Sequence, residues 1–316
     1  MRKALLFLLL IAAPACRRTE KTIVGVVPKG ANHIFWQTVH AGAIKAGREY
    51  GFDIQWNAAS LEIDSSRQIE IVESMINQHL AGIVLAPVDK SALVAVVERA
   101  GRAGIPVSIF DSGIDTDRIL CYVATNNLEA GRMAARRMGE ILGGKGKVGV
   151  VGFMAGSAST MQREDGFTTE IRQKFPGIEL TGVLFGMADR AKAMAVAENM
   201  LTAHPDLAGI YADNESSAEG ALQAVKSRGA TNVKLVVMDA SETLLAALRN
   251  GTVDSIVVQN PFRMGYESTK AIGMKLKGEV PPRLQDSGAT LVRKEDLEKL
   301  EIKELLFPDI QQYLGH

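Results

Sequence analysis

The sequence predicts an α/β chain of two doubly wound, parallel-sheet lobes, and three observations predict it. Short β-branched runs alternate with amphipathic stretches of helical period, a rhythm that builds parallel sheets covered by helices on both faces. The run Gly143-Gly-Lys-Gly-Lys147 punctuates the chain near its middle, where a single continuous sheet would otherwise need an unusual number of strands. With 316 residues, 47% of them apolar and 23% charged, the chain exceeds one average domain and can bury a sizeable core. A closed eight-stranded barrel is the alternative that the same alternation permits.

Taken in order, the first segment is an address. Arg2 and Lys3 precede an apolar run over residues 4–13, about half of the ~20 residues that a membrane-spanning helix needs, followed by Ala-Pro-Ala-Cys. This is the pattern of an export signal over residues 1–15. Pro14 breaks the helix and small Ala15 precedes Cys16, so the segment ends like a bacterial lipobox, in which the cysteine is lipidated and becomes the new N-terminus. Ala13 stands where such boxes usually carry Leu, and ordinary cleavage nearby is the alternative. Export puts the chain in the periplasm or cell envelope, anchored to a membrane if Cys16 is acylated. Residues 16–21 are then the lipidated N-terminus and a polar linker.

Beyond the linker, strand candidates are 22–27, 52–56, 82–86, 107–110 and 119–123, then 147–151, 179–184, 208–211, 234–238 and 255–258. Between them lie amphipathic stretches at 35–50, 65–80, 92–103, 127–142, 191–203, 217–228 and 262–277. Ile69, Val72, Ile76 and Leu80, for instance, recur at three- and four-residue spacings on one helical stripe. The segments ending in Gly51 and Gly229 share this strand-helix rhythm, as duplicated halves would.

Charge and cysteine usage narrow the function. Lys plus Arg (36) equals Asp plus Glu (36), so the chain has no global field with which to gather phosphates, and general nucleic-acid binding is disfavoured. Two cysteines, Cys16 and Cys121, supply neither a disulfide scaffold nor a cysteine zinc site. Cys121 sits in an apolar run and reads as a buried small hydrophobe. His33 and His40, seven residues apart, match no compact zinc motif, so neither a metal nor a cofactor is expected.

In open parallel sheets, ligands bind beyond the carboxyl ends of the strands, where loops vary and helix N-termini point inward. Applied here, that rule collects Asp111 after Val-Ser-Ile-Phe, Asn214 after Ile-Tyr-Ala-Asp, Asp239 after Leu-Val-Val-Met and Gln259 after Ile-Val-Val. Arg163 lies in the loop or early helix after 147–151, and Asn32-His-Ile-Phe-Trp36 heads the first helix. Each polar member has a bland reading: Asp111 and Asp239 as caps of helices or turns, Asn214 as an N-cap, Gln259 as the residue before the Asn260-Pro261 turn. Phe35 and Trp36 read as core or as site, but adjacent helix positions are not expected to face the same core. Their conjunction suits a sugar. Carboxylates accept from adjacent hydroxyls, Arg donates in a fixed fork, Asn and Gln do both, and flat rings cover the apolar C–H face.

At these residues the chain resembles the periplasmic sugar-binding proteins similar to ribose-binding protein, the extracytoplasmic receptors of ABC sugar importers. The resemblance runs along almost the whole mature chain, through ANHIFWQTVHAGA, GIVLAPVDKSAL, GIPVSIFDSG, MLTAHPDLAGIYADNESSAEGAL, LVVMDAS and VVQNPFRMGYES. It implies ring stacking at Phe35 and Trp36, hydroxyl-accepting carboxylates at Asp111 and Asp239, a fork donor at Arg163, amides at Asn214 and Gln259, and a polar ligand at Asn32 or His33. Ser112 stands where ribose binders carry a second Arg, and Ala188 where they carry another aromatic ring, so ribose itself does not follow.

The resemblance also implies a type I periplasmic binding fold, with the chain crossing three times between lobes, near 125–126, 259–260 and 286–289. Residues 22–124 plus 261–286 then form one lobe and 126–258 plus 289–316 the other. The expected partners are a small-molecule sugar and the transmembrane subunits of an ABC permease, and the expected state is a monomer. Three other readings stand beside this one. An enzyme lacks support, because no GxSxG elbow, HExxH helix, Walker loop or GxGxxG fingerprint occurs. A LacI-type repressor needs an N-terminal helix-turn-helix where this chain has an export signal. An exported sugar sensor for a chemoreceptor or sensor kinase shares every residue above with a transport receptor.

Overall fold

A computed structural model describes residues 21–31 and 33–315. The export segment, Cys16 and Asn32 lie outside the described residues. Five strands come first: β1 (Ile23–Val27), β2 (Asp53–Trp56), β3 (Gly82–Leu85), β4 (Val107–Phe110) and β5 (Cys121–Ala124). Five more follow: β6 (Lys145–Gly152), β7 (Gly177–Phe185), β8 (Leu207–Ala212), β9 (Lys234–Met238) and β10 (Ser255–Gln259). The short β11 (Leu284–Asp286) and β12 (Ala289–Arg293) complete the set.

They form two open six-stranded sheets, in the orders β11-β5-β4-β3-β1-β2 and β12-β10-β9-β8-β6-β7, which rules out the closed barrel. All pairings are parallel except β12 against β10. The ten expected strands are present with small shifts at their ends, and the glycine-rich punctuation is partly absorbed into β6. Sequence reading missed the three-residue β11 and the five-residue β12, the latter an edge strand of partly exposed residues rather than a buried β-branched run.

Helices cover both faces of each sheet. On the first, α1 (Ile34–Tyr50) and α9 (Pro261–Leu276) lie on one side, and α2 (Ser65–Asn77) and α3 (Val94–Arg102) on the other. On the second, α4 (Asn127–Ile141) and α5 (Ala158–Lys174) oppose α6 (Arg190–Ala203), α7 (Glu215–Ser227) and α8 (Glu242–Asn250). The buried stripe of α2 is Ile71, Val72, Met75 and Ile76, because the helix ends before Leu80 and rotates Ile69 toward its edge. Apolar β-branched side chains on both faces of each strand make each sheet the centre of a two-layered core.

The chain passes between the sheets from β5 into α4 through Thr125 and Asn126, from β10 into α9 through Asn260, and from β11 into β12 through Ser287 and Gly288. These crossings are stitched together. Thr125 Oγ1 lies 3.3 Å from Ser287 Oγ, and the Asn126 N–H donates to Asp286 Oδ1 at 3.2 Å. Residues 289–306 pack on the second sheet through Val292, Leu297 and Ile302, and only the end of the chain reaches across to the first half. After α10 (Leu300–Leu306), the final helix α11 (Gln311–Leu314) returns to α1, where Arg48 donates to the Gln312 and Tyr313 carbonyls at 3.0 and 3.2 Å. An arginine and an aromatic ring meeting there outweigh continuity with the preceding strand.

Candidate functional site

The carboxyl ends of the two sheets face one cavity, lined by residues of both sheets. Two carboxylates stand on its opposite sides in matching positions. Asp111 follows β4 and Asp239 follows β9, each the residue just past the strand. Their N–H groups donate to Val123 and Val257 of the next strand, both at 3.0 Å, and both residues take left-handed backbone, with φ of 59° and 66°. Asp tolerates that conformation better than most residues, and here it turns each side chain off the strand line toward the cavity. Neither is a helix cap.

The two carboxylates are held differently. Asp111 Oδ2 lies 2.8 Å from Lys29 Nζ, with both side chains buried. Asp239 accepts from Gln259 Nε2 at 2.7 Å and from the Glu215 N–H at 3.2 Å, while Arg163 Nη1 stays 4.0 Å away. Burial pushes the Asp239 carboxyl above its ordinary range, and the Arg163 charge pulls it only part of the way back.

Arg163, on α5, is fully buried. Its Nε donates to Asn127 Oδ1 at 2.7 Å and its Nη1 to the Asp213 carbonyl at 2.8 Å, so its fork is fixed by α4 and by the end of β8. Asn214 fills both of its sequence readings. It caps α7, accepting from the Ser217 N–H at 3.1 Å, and it lines the cavity. Gln259 ends β10 with its Oε1 buried and unpartnered at the cavity wall, and Asn260 beyond it is the N-cap of α9.

Phe35 and Trp36 correct the expectation that neighbouring helix positions do not share a core. In the first turn of α1 their rings meet edge-on, 4.8 Å apart, and both pack against the cluster containing Phe110 while bordering the cavity. Trp36 is buried in that cluster, while Phe35 is half-buried against its edge. Trp36 Nε1 donates to Glu62 Oε1 at 2.7 Å, and His33 Nδ1 lies 3.4 Å from the same oxygen.

All the site residues expected from sequence within the described segment, His33, Phe35, Trp36, Asp111, Arg163, Asn214, Asp239 and Gln259, border this one cavity. Sequence reading missed Lys29, Glu62, Phe153, Ser159, Thr160 and Glu215, which border it too. Lys29, Glu62 and Phe153 lie in the loops after β1, β2 and β6, so the carboxyl-end rule applied to every strand would have found them. Phe153 supplies an aromatic wall that the chain does not place at Ala188. Ser112, where a second arginine was missing, is buried in a seam between the sheets and accepts from the Ser159 N–H at 3.1 Å. Lys29 joins the same seam, reaching Ser157 and Ser159 Oγ at 3.3 and 3.2 Å, and the Lys90 N–H donates to the Gly156 carbonyl at 3.0 Å. The cavity is therefore closed by contacts from both sides.

A buried acid pair backs the second wall. Asp213 and Glu164 are buried close together; burial raises both carboxyls, the Glu164 charge raises Asp213 further, and the Asp213 contact pulls Glu164 partly back. Cys121 is buried and free, and burial pushes its thiol up, as expected of an inert core cysteine. Among the described residues no group of three or more His, Cys, Asp and Glu side chains is placed to hold a metal ion. None of the described helices is long and apolar enough to cross a membrane.

Residues 24–279 match the periplasmic binding protein domain family. The chain is 32% identical over 289 residues to the D-ribose/D-allose-binding protein of Pseudomonas aeruginosa, covering 87% of this chain and 89% of that one. It is 29% identical over 256 residues to the ribose import binding protein of Bacillus subtilis, covering 81% and 82%. Among solved structures, it superposes on a carbohydrate transporter solute binding protein from Agrobacterium radiobacter in complex with D-arabinose, with a TM-score of 0.88 and 28% identity over 91% of this chain and 99% of that one. An ABC transporter solute binding protein from Agrobacterium vitis with bound D-fucose gives 0.87 and 31% over 90% and 100%.

Proposed function

The chain belongs to the periplasmic binding protein domain family, and from that membership and the chemistry of the cavity we propose that it captures a monosaccharide-type sugar between its two sheets and delivers it to an ABC permease. The family is one of substrate-binding transport proteins, which favours this reading over the enzyme and repressor readings. Transport is favoured over sensing because the similar proteins named for a role are importer and transporter components.

The observation that carries the sugar reading is the pairing of Asp111 and Asp239, one from each sheet, on opposite walls of a cavity also bordered by Phe35, Trp36 and Phe153. Two carboxylates grip adjacent hydroxyls while the rings take the C–H face, and Arg163, Asn214 and the open Gln259 Oε1 complete the donor and acceptor set. Charge-assisted bonds of about 1.5–3 kcal/mol each in a dry cleft sustain micromolar binding after ordering costs. Asn32 or His33 adds a polar contact at the head of α1.

A hinge at 125–126, 259–260 and 286–289 accounts for entry. Opening separates the seam of Lys29, Ser112 and Ser159. A sugar touching both walls then favours the shut form by the difference in its affinity for the two states. Residues 1–15 serve as the export signal and Cys16 as a lipid attachment point, with the mature chain acting as a monomer in the periplasm or cell envelope.

Calorimetric titration of the purified chain with a panel of pentoses, hexoses and small non-sugar ligands tests this reading. At least one monosaccharide is expected to bind with a matching rise in melting temperature. A panel in which no sugar binds, or in which a non-sugar binds best, overturns it.

A further inference from the structure

The cavity carries more negative charge than a neutral sugar can use. Lys29 is committed to Asp111, and Arg163 stands 4.0 Å from Asp239. Arg190, reaching in from the surface, is divided between Glu215 and Glu219. Two wall carboxylates are left short of compensation, one on each side of the cleft. Glu62, after β2, takes the Trp36 indole and the His33 ring on Oε1, and no described residue donates to its Oε2. Glu215, heading α7, is bonded by Arg190 Nη2 through Oε1 at 3.2 Å, while its Oε2 is buried with no partner. The Glu215 side chain is only 4% exposed, and both residues border the cavity.

We propose that the sugar this cleft takes is a cationic one, an amino sugar whose protonated amine sits between Glu62 of one wall and Glu215 of the other. The inference rests on the monosaccharide reading above and narrows its substrate class. A hydroxyl satisfies the hydrogen-bonding need of a carboxylate oxygen but not its charge, so beside a neutral sugar Glu215 keeps its proton, whereas a cation lets it ionise. An ammonium carries three donors and the missing positive charge, and it bonds a carboxylate about twice as strongly as a neutral donor does. The energetics agree: burial first, then the charges of Asp239 and Glu219, push Glu215 up to about 8, with Glu62 adding to the repulsion. Burial likewise raises Glu62, against the pull of His33 and Lys29.

The test is calorimetry on the purified chain at neutral pH with D-glucosamine, D-galactosamine and D-mannosamine, each against its parent hexose and its uncharged N-acetyl derivative. At least one amine is expected to bind about tenfold or more tighter than both neutral counterparts, the difference one extra charge-assisted bond makes. Glu215→Gln and Glu62→Gln, which keep size and the ability to accept, are each expected to erase most of that preference, so that the amine and its parent hexose bind the variant with affinities within about twofold of each other. Unaltered circular dichroism and melting of the variants shows that folding is not the cause. If a hexose or pentose binds as tightly as every amine, or if the preference survives both substitutions, the cationic-sugar inference falls while the sugar-receptor reading stands. If no sugar of either kind binds, both fall.

Discussion

The two sheets place an aspartate at the same point of the same architecture and then compensate its charge in opposite ways. Past β4, Asp111 meets an ammonium at 2.8 Å, whereas past β9, Asp239 is held by an amide and a backbone N–H with its nearest cation 4.0 Å away. The likeness is backbone deep, since both residues are left-handed and both N–H groups join the next strand. The difference comes from loops, Lys29 after β1 on one side and Gln259 at the end of β10 on the other. Position within a doubly wound sheet thus decides where a carboxylate points, and the neighbouring loops decide what its burial costs.

The sharpest break of this comparison comes from truncating each carboxylate. Both Asp111→Ala and Asp239→Ala are expected to abolish sugar-induced thermal stabilisation. Asp111→Ala also strands a buried ammonium and is expected to destabilise the unliganded protein by about 3–5 kcal/mol. Asp239→Ala unpairs two neutral donors and removes a carboxylate 4.0 Å from Arg163, whose Nε and Nη1 stay bonded to Asn127 and Asp213, for a smaller loss of about 1–3 kcal/mol. Denaturant unfolding of both variants without ligand measures the gap, and equal losses would mean that Lys29 does not distinguish the two walls. Replacing both partners, as Lys29→Met with Asp111→Leu, is expected to recover most of the unliganded stability but not the sugar response.

The helices bearing site residues offer a second comparison. In the first half α1 packs on α9 through Gly265, where an added Cβ would lie 2.0 Å from the Val39 carbonyl oxygen. In the second half α5 packs on α4 through Gly131, where it would lie 2.1 Å from the Arg163 carbonyl oxygen. Each pair ties a wall of the cavity to a helix leaving a crossing between the sheets. Gly265→Ala and Gly131→Ala are each expected to cost about 1–3 kcal/mol by overpacking. Because Gly131 abuts Arg163 itself, only Gly131→Ala is expected to weaken sugar binding beyond its effect on stability, which calorimetry at a permissive temperature reads out.

The buried acid pair belongs to the second half alone. The position matching Asp213 in the first half is Ala86, whose N–H makes the equivalent bond to β1. Asp213 and Glu164 have raised pKa values when folded, so their contribution to stability is greatest below the unfolded carboxyl range near about pH 4 and is lost as pH rises through the folded values. Asp213→Asn supplies a permanent donor to Glu164. It is expected to flatten the decline in stability as pH rises above the ordinary carboxyl range, measured by denaturant unfolding. An unchanged slope would place that decline elsewhere.

A spectroscopic difference is the smallest effect. Trp36 borders the cavity, whereas Trp56 is stacked on His40 with ring centroids 4.2 Å apart, in a place that does not border it. Trp36→Phe is expected to remove the sugar-dependent change in emission and Trp56→Phe to keep it.

How much of this was legible beforehand follows from what a residue's neighbours in sequence can reveal. Buried parallel strands announce themselves as β-branched runs, so the first ten were found, while Leu284–Asp286 and Ala289–Arg293 were not, being largely unburied edge strands. Asp111, Asn214, Asp239 and Gln259 were found because each directly follows a recognisable strand. Lys29, Glu62 and Glu215 looked like ordinary solvated loop or cap charges. Only the meeting of two sheets buries them, and burial is what turns an acidic side chain into a demand for a particular ligand. Phe35 and Trp36 were found, but the helical-wheel argument about them failed because Trp36 enters the core while its half-buried neighbour still packs against the same cluster.

Local pattern therefore determined the alternation of strands and helices, the two halves, and the places past the strand ends where polar side chains collect, because hydrophobic period and turn chemistry are properties of short stretches. The tertiary structure alone decided which charges pair, which stay uncompensated across the cleft, and where the last helix docks. Those outcomes depend on distances between residues far apart in the chain, and electrostatic energy in a dry cleft is governed by distance and burial rather than by order in the sequence.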